Sequence, residues 1–168
     1  MKISMYQTSA PRFVSTLKNL QGILDKAQAH AEAKKIDPLV LTASRLYPDM
    51  FALARQVQVA CDTAKGAMAR LAGVENPKHE DTEQSFAELK GRIDKTITFI
   101  ETFKPAQIDG TEDKELTIKL GPREVKWKGM QYLLGFALPN FYFHAATAYD
   151  ILRHNGVELA KRDFIGNP

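Results

Sequence analysis

Four stretches of this chain repeat apolar residues at alternating steps of three and four, a spacing that puts side chains along one side of an α-helix. Few folds accept four such stripes in succession. The first stripe is Ala10, Phe13, Leu17, Leu20, Leu24, Ala27 and Ala31; Pro11 sits near the start, where a missing backbone donor does little harm, and the end is expected at Ile36-Asp37-Pro38. A short irregular or helical link and the stop Tyr47-Pro48-Asp49 lead to the second stripe: Met50, Ala54, Val57, Cys61, Ala64, Met68 and Leu71, closed by Gly73. The third stripe, Phe86, Leu89, Ile93, Ile97 and Ile100, runs up to Pro105. It follows the acidic group Glu80, Asp81 and Glu83, which suits a helix N-terminus, although Thr82 with Ser85 three residues later lacks the acidic partner of a full capping box. The fourth runs from about Met130 to His154, with Arg153 and His154 in the last turn and Asn155-Gly156 as the stop.

Between the third and fourth stripes the period changes. Leu116, Ile118 and Leu120 alternate with Thr117 and Lys119, Gly121-Pro122 interrupts, and Val125 and Trp127 alternate around Lys126, which predicts a two-stranded hairpin. A lone hairpin is marginal in water, so its apolar face, Trp127 above all, should rest on the helices. The expected architecture is all-α: a four-helix bundle with a small β-hairpin between helices 3 and 4, forming one domain over residues 1–168.

Composition narrows the function classes. With 44% apolar and 26% charged residues, the 168-residue chain has ordinary globular usage. Its formal charge of +3 is spread along the sequence, with no basic run beside exposed aromatics as a nucleic-acid groove needs, so no nucleic-acid partner is expected. Met1-Lys2-Ile3-Ser4-Met5 is not followed by the apolar core of a signal peptide, and no window approaches the roughly 18 apolar residues of a spanning helix. A soluble, cytoplasmic protein without a membrane partner is expected. Cys61, the one cysteine, lies on a core stripe, where a thiol behaves as a small inert hydrophobe.

The stretch Leu138-Pro139-Asn140-Phe141-Tyr142-Phe143-His144 sets two polar groups one helical turn apart on a face shared with Leu133, Phe136, Ala137, Thr147, Ala148 and Ile151. Pro139 removes its own hydrogen bond to residue 135, which is a glycine, so Gly135 and Pro139 predict an accommodated kink that frees one carbonyl toward the interior. Asn140 and His144 then border a polar notch. Either Asn140 satisfies the freed carbonyl while His144 bonds a neighbouring helix, or the two line a ligand or metal pocket. Of the other titratable residues, His30 is expected on a solvated face, His79 beside a helix start and His154 at a C-terminal dipole; Tyr142 and Tyr149 are expected to pack.

Together with the four stripes, three segments resemble a known family: Asp49-Met50-Phe51-Ala52-Leu53-Ala54-Arg55-Gln56-Val57-Gln58, Leu138-Pro139-Asn140-Phe141-Tyr142-Phe143-His144, and Leu152-Arg153-His154-Asn155-Gly156-Val157 with Lys161-Arg162-Asp163-Phe164. The chain is similar over nearly its whole length to the domain of unknown function 1993 family, within the DinB/YfiT-like superfamily. The resemblance implies an up-down-down-up bundle, often dimeric. It also implies a divalent-metal site made by one histidine from the second helix and a His-x-x-x-His pair from the fourth, and in some relatives thiol-dependent transferase or isomerase chemistry. On that pattern His144 matches the second histidine of the pair, and Asn140 stands where the first would be. No histidine lies on the second helix; Gln58 is nearest by position, with Arg55 and Asp62 on the same stripe.

Amide oxygens are weak donors for zinc or nickel, so no cofactor is expected, and His144 is the one strong ligand should a divalent metal bind. The expected pocket residues are His144, Asn140, Gln58 and Asp62, and changing Gln58 and Asn140 to histidine is expected to restore a triad. Two readings follow. The first is a homodimer that is non-catalytic or binds a small-molecule ligand, the dimer motivated by the resemblance and by Phe141, Phe143 and Leu152 in excess of one seam. The second is a thiol-dependent transferase or isomerase, possible with a metal, in which His144 acts as a base or ligand. The missing histidines favour the first.

Overall fold

The first three stripes each become one long helix in the computed structural model, which describes residues 3–166. Met1 and Lys2, part of the N-terminal stretch read above, lie outside the described residues. Helix α1 (Met5–Lys34) begins earlier than its stripe suggested because Ser4 caps it, its hydroxyl accepting from the Gln7 amide, and because Met5 is already buried. Pro11 therefore lies inside the helix rather than at its start. The helix stops at Lys35, in the left-handed conformation with φ 55°, before the Ile36-Asp37-Pro38 stop expected. Asp37 then caps the short helix α2 (Pro38–Thr42), accepting from the Leu39 amide.

Helix α3 (Leu53–Ala72) carries the second stripe and ends at Gly73, whose φ of +74° is the left-handed cap that glycine supplies without strain. Met50 stands before the helix, in the segment leading into it. Helix α4 (Phe86–Glu101) has a full capping box after all. Ser85, not Thr82, is the cap, and the Glu88 carboxylate accepts from the Ser85 amide at 2.9 Å while the Ser85 hydroxyl accepts from the Glu88 amide at 3.3 Å. After the short helix α5 (Pro105–Ile108), strands β1 (Glu115–Leu120) and β2 (Arg123–Lys128) pair antiparallel, Leu116 opposite Trp127 and Ile118 opposite Val125. Leu116 and Ile118 are buried, and the Trp127 ring stacks on Phe136 with centroids 5.2 Å apart, so the hairpin rests on the helices as its pattern required.

The fourth stripe is not one kinked helix. It is built from helix α6 (Gly129–Tyr132), a π-helical turn (Leu133–Ala137) and helix α7 (Leu138–His154). Within the turn, the Leu138 amide bonds the Leu133 carbonyl five residues back. The extra residue widens the ladder just where Pro139 has no N–H to give. A short helix α8 (Lys161–Ile165) then packs on α1.

The chain is mostly helical with one two-stranded sheet. The long helices meet pairwise, α1 with α4, α4 with α3, α3 with α7 and α7 with α1, around a shared core in which Phe13 meets Phe141 edge to face at 4.9 Å. Two of the residues that motivated a dimer belong to this core: Phe141 and Leu152 are 0% exposed, and Phe143 alone, at 56%, faces solvent. The helical reading assigned them to the surface because they fall beside one seam, whereas α7 is covered on two sides, by α3 and by α1. No helix among the described residues is long and apolar enough to cross a membrane.

Gly129 begins α6 where the chain passes close against Thr111, since a Cβ there would lie 2.0 Å from the Thr111 carbonyl oxygen. Backbone cannot yield as a side-chain tip can. Gly129→Ala is therefore expected to destabilise the fold by about 1–3 kcal/mol, the usual range for overpacking, and urea denaturation checks this; an unchanged midpoint would show that the crossing is loose.

Candidate functional site

His144 lies on α7 against α3, 8% exposed. Its Nδ1 stands 2.6 Å from Oε1 of Gln56, in the first turn of α3. The orientation of that amide is settled by its other end: Gln56 Nε2 lies 3.1 Å from the Phe51 carbonyl oxygen, which can only accept. Oε1 therefore faces the imidazole, Nδ1 carries the proton and donates, and Nε2 keeps a lone pair. Nε2 has no hydrogen-bond partner among the described residues. Burial, followed by the nearby Arg55 guanidinium, holds the His144 pKa below the ordinary histidine value, so the neutral ring is favoured.

Phe51 stacks on this imidazole at 6.4 Å between centroids, and Phe143 meets it edge-on at 5.1 Å. With Asp49, Met50 and Gln56 they line an open cleft of about 210 Å³. Gln56 was not among the expected site residues. A signal for it exists, because Leu53, Gln56, Ala60 and Ala67 form a second buried line on α3 at steps of three, four and seven.

The expected site residues take separate partners, and none of the four hydrogen-bonds another among the described residues. Asn140 Nδ2 donates to the Thr63 hydroxyl at 2.8 Å rather than to a carbonyl freed by Pro139. Gln58 accepts from Arg55 at 3.3 Å and donates to Glu83 at 3.1 Å. Asp62 receives Arg92 at 2.9 Å and Lys65 at 3.3 Å. Geometry explains the division: positions 56 and 58 are about 200° apart around a helix, so when Gln56 faces His144, Gln58 faces elsewhere. The donor set does not fit the divalent metal implied by the resemblance. His144 offers Nε2 alone, the Gln58 oxygen accepts from Arg55, the Asn140 side chain is turned to Thr63, Asp62 is tied to cations, and the described residues contain no group of three or more His, Cys, Asp or Glu side chains placed to hold an ion.

Gln58 and Asp62 instead join a network around Arg92, whose side chain is 1% exposed. Its guanidinium meets Asp62 at 2.9 Å, Asp81 at 3.0 Å, Glu83 at 3.1 Å and the Glu80 carbonyl at 2.9 Å, while Arg55 pairs with Asp81 and Lys65 reaches the Pro77 carbonyl. These contacts bind the connection between α3 and α4 to both helices. His79, on the same connection, has a buried Nδ1 with no partner among the described residues, and its pKa is lowered by burial and then by Lys65 and Arg92.

Cys61 is fully buried, and burial pushes its thiol up to about 12, which agrees with an inert core role. His30 is half-buried rather than solvated, whereas His154 is exposed in the last turn of α7. Tyr149 packs against Phe164 with ring centroids 6.0 Å apart, and Tyr142 is exposed.

The family model described as domain of unknown function (DUF1993) matches residues 5–165. A crystal structure of a DinB family member protein from Shewanella denitrificans is similar at 44% identity with a TM-score of 0.88, over 97% of this chain and 92% of that one. Among curated proteins no relative matches.

His79 and His144 have lowered pKa values, so the unfolded chain binds protons that the folded chain refuses. Their contribution to stability is complete above the unfolded value of about 6.5 and is lost as pH falls from there toward the folded values. The denaturation midpoint is expected to drop on acidification from about pH 7 toward 5.5, and a variant carrying His79→Ala and His144→Ala to show a shallower decline. An equal slope in both proteins would refute this assignment.

Proposed function

The chain belongs to the domain of unknown function 1993 family, and on that premise we propose that it is a ligand-binding, non-catalytic protein of the cytoplasm that works as a homodimer. Its helices form a four-helix bundle of the up-down-down-up type; the ring of helix contacts and the long connections on either side of α4 support this. Its ligand pocket centres on His144. The observation that carries the reading is the chain of hydrogen bonds from His144 Nδ1 to Gln56 and from Gln56 to the Phe51 carbonyl. Such a chain fixes one tautomer of a neutral imidazole at the wall of a cavity, which is what an acceptor for a bound molecule requires. Asn140, Gln58 and Asp62 serve this pocket from outside, holding α7 and the connection after α3 in place. The likeness to DinB proteins, whose bundles the resemblance implies are often dimeric, supports the dimer.

Three measurements test these points. Nitrogen NMR of labelled imidazoles is expected to show His144 with its proton on Nδ1 at about pH 7, lost from that position in Gln56→Leu; a proton on Nε2 would overturn the pocket reading. Sedimentation is expected to show a dimer, and a monomer at all concentrations would refute it. Protein purified without an affinity tag is expected to contain no stoichiometric zinc or nickel. Joining Gln56→His to Asn140→His should create zinc binding beside His144, whereas joining Gln58→His to Asn140→His should not, because position 58 points toward Glu83. Near-stoichiometric metal on His144 in the unmodified protein would reverse this conclusion.

A further inference from the structure

The side-chain polar atoms around the His144 cavity are unequally divided between donors and acceptors. The Nδ1 proton is spent on Gln56, and the Gln56 amide nitrogen is turned to the Phe51 carbonyl in a residue that is 1% exposed. What remains is the Nε2 lone pair of His144 and the carboxylate of Asp49, which accepts only. Asp49 is exposed and makes no hydrogen bond or ion pair among the described residues. The other walls, Met50, Phe51 and Phe143, are apolar. Two cations stand outside this lining: Arg45 donates through one Nη to the Pro48 and Met50 carbonyls at 3.3 and 3.1 Å, and Arg55 lies 5.7 Å from the Phe51 ring centroid and is paired with Asp81.

A ligand carboxylate would meet two acceptors and no free donor among the lining side chains, and a hydroxyl could serve only one of the acceptors. An ammonium has a proton for each and gains a charge-assisted bond at Asp49. The cleft, about 210 Å³ and open to solvent, seats a small body against Met50, Phe51 and Phe143. We infer that the His144 cavity binds a small organic amine, a protonated amino group on a compact apolar body, with Asp49 and His144 Nε2 as its acceptors. The inference rests on the ligand-binding reading above and adds the ligand's chemistry to it.

Three probes with the same body separate the possibilities: phenethylamine, phenethyl alcohol and phenylacetate, each titrated into the full chain at millimolar concentration and followed by NMR of His144 and of the Phe143 amide. The amine is expected to shift both signals saturably and to bind about tenfold or more tightly than phenylacetate, the difference a charge-assisted hydrogen bond supplies. Asp49→Asn is expected to bring amine affinity down about tenfold. Acidification through the His144 titration should also weaken the amine. The charged ring then has a donor at Nε2 and repels the ammonium, with Asp49 and the carbonyl-bound Arg45 in the segment before α3 and the Asp81-paired Arg55 on α3 as the other charges near it. Preference for phenylacetate, equal response to all three probes, or unchanged amine binding in Asp49→Asn would each overturn the amine assignment while leaving a pocket. Silence from all three would overturn it as well, and the tautomer measurement on His144 would then decide separately whether the pocket reading survives.

Discussion

Pro139 cannot donate a backbone hydrogen bond, and the way α7 absorbs that loss sets the geometry of the whole site. Inside a regular helix the missing bond and the ring's pressure on the preceding turn disrupt by about 3 kcal/mol. Here the turn before it is π-helical, with Leu138 bonded to Leu133. One residue is inserted into the ladder, which rotates the following helix relative to the preceding segment. In that rotated phase Phe141 and Leu152 enter the core, Asn140 reaches Thr63, and His144 reaches Gln56. Without the extra residue, the polar pair and the apolar pair would meet α3 at different heights and angles.

Burial then converts position into chemistry. An imidazole that is 8% exposed and held at Nδ1 by a neutral amide oxygen gains little from being charged, and Arg55 nearby adds to the penalty. A carboxylate in place of Gln56 would favour the protonated ring, as in sites that use histidine as an acid. The glutamine instead keeps the ring neutral while still aiming it. The metal-binding relatives implied by the resemblance need imidazole nitrogens converging on one point; this chain puts an amide against its histidine and uses the other polar residues of the region as ties. Asp62 shows the same choice, because a carboxylate shared by Arg92 and Lys65 has spent its charge on the fold.

That network around Arg92 is an unusual place to put charge. An arginine with a 1% exposed side chain is costly to desolvate, and the surrounding Asp62, Asp81 and Glu83 offset that cost only because they remain partly hydrated, at 37%, 43% and 14% exposure. Solvent screens each pair, so their combined effect is better viewed as orientation than as stability. The connection from Gly73 to Ser85 has no regular structure of its own and no long apolar run, and these ties to α3 and α4 hold it in one conformation. Because Gln58 and Arg55 belong to the same set, the network also fixes the first turns of α3, where Gln56 must stand for His144 to be oriented.

How much of this could be read in advance follows from which signals are periodic. The stripes of α1, α3 and α4 and the alternation of Leu116, Ile118 and Trp127 are repeated patterns, and nearly all their members are buried as the period demands. The burial of Cys61 followed from the same pattern. Features set by a single residue were harder to see. Ser4 begins α1 ahead of its stripe, Ser85 rather than Thr82 caps α4, and the π turn leaves no mark beyond Gly135 and Pro139, which are equally compatible with a kink. The partner of His144 depended on a choice between two glutamines two positions apart, on opposite sides of one helix. Resemblance to a histidine pattern pointed to Gln58, but the buried line through Leu53, Ala60 and Ala67 pointed to Gln56; both amides are buried, and which face of the helix meets His144 decided between them. Where a site is built from amides rather than from strong ligands, the helix face is therefore a better guide to its members than correspondence with the ligand positions of relatives.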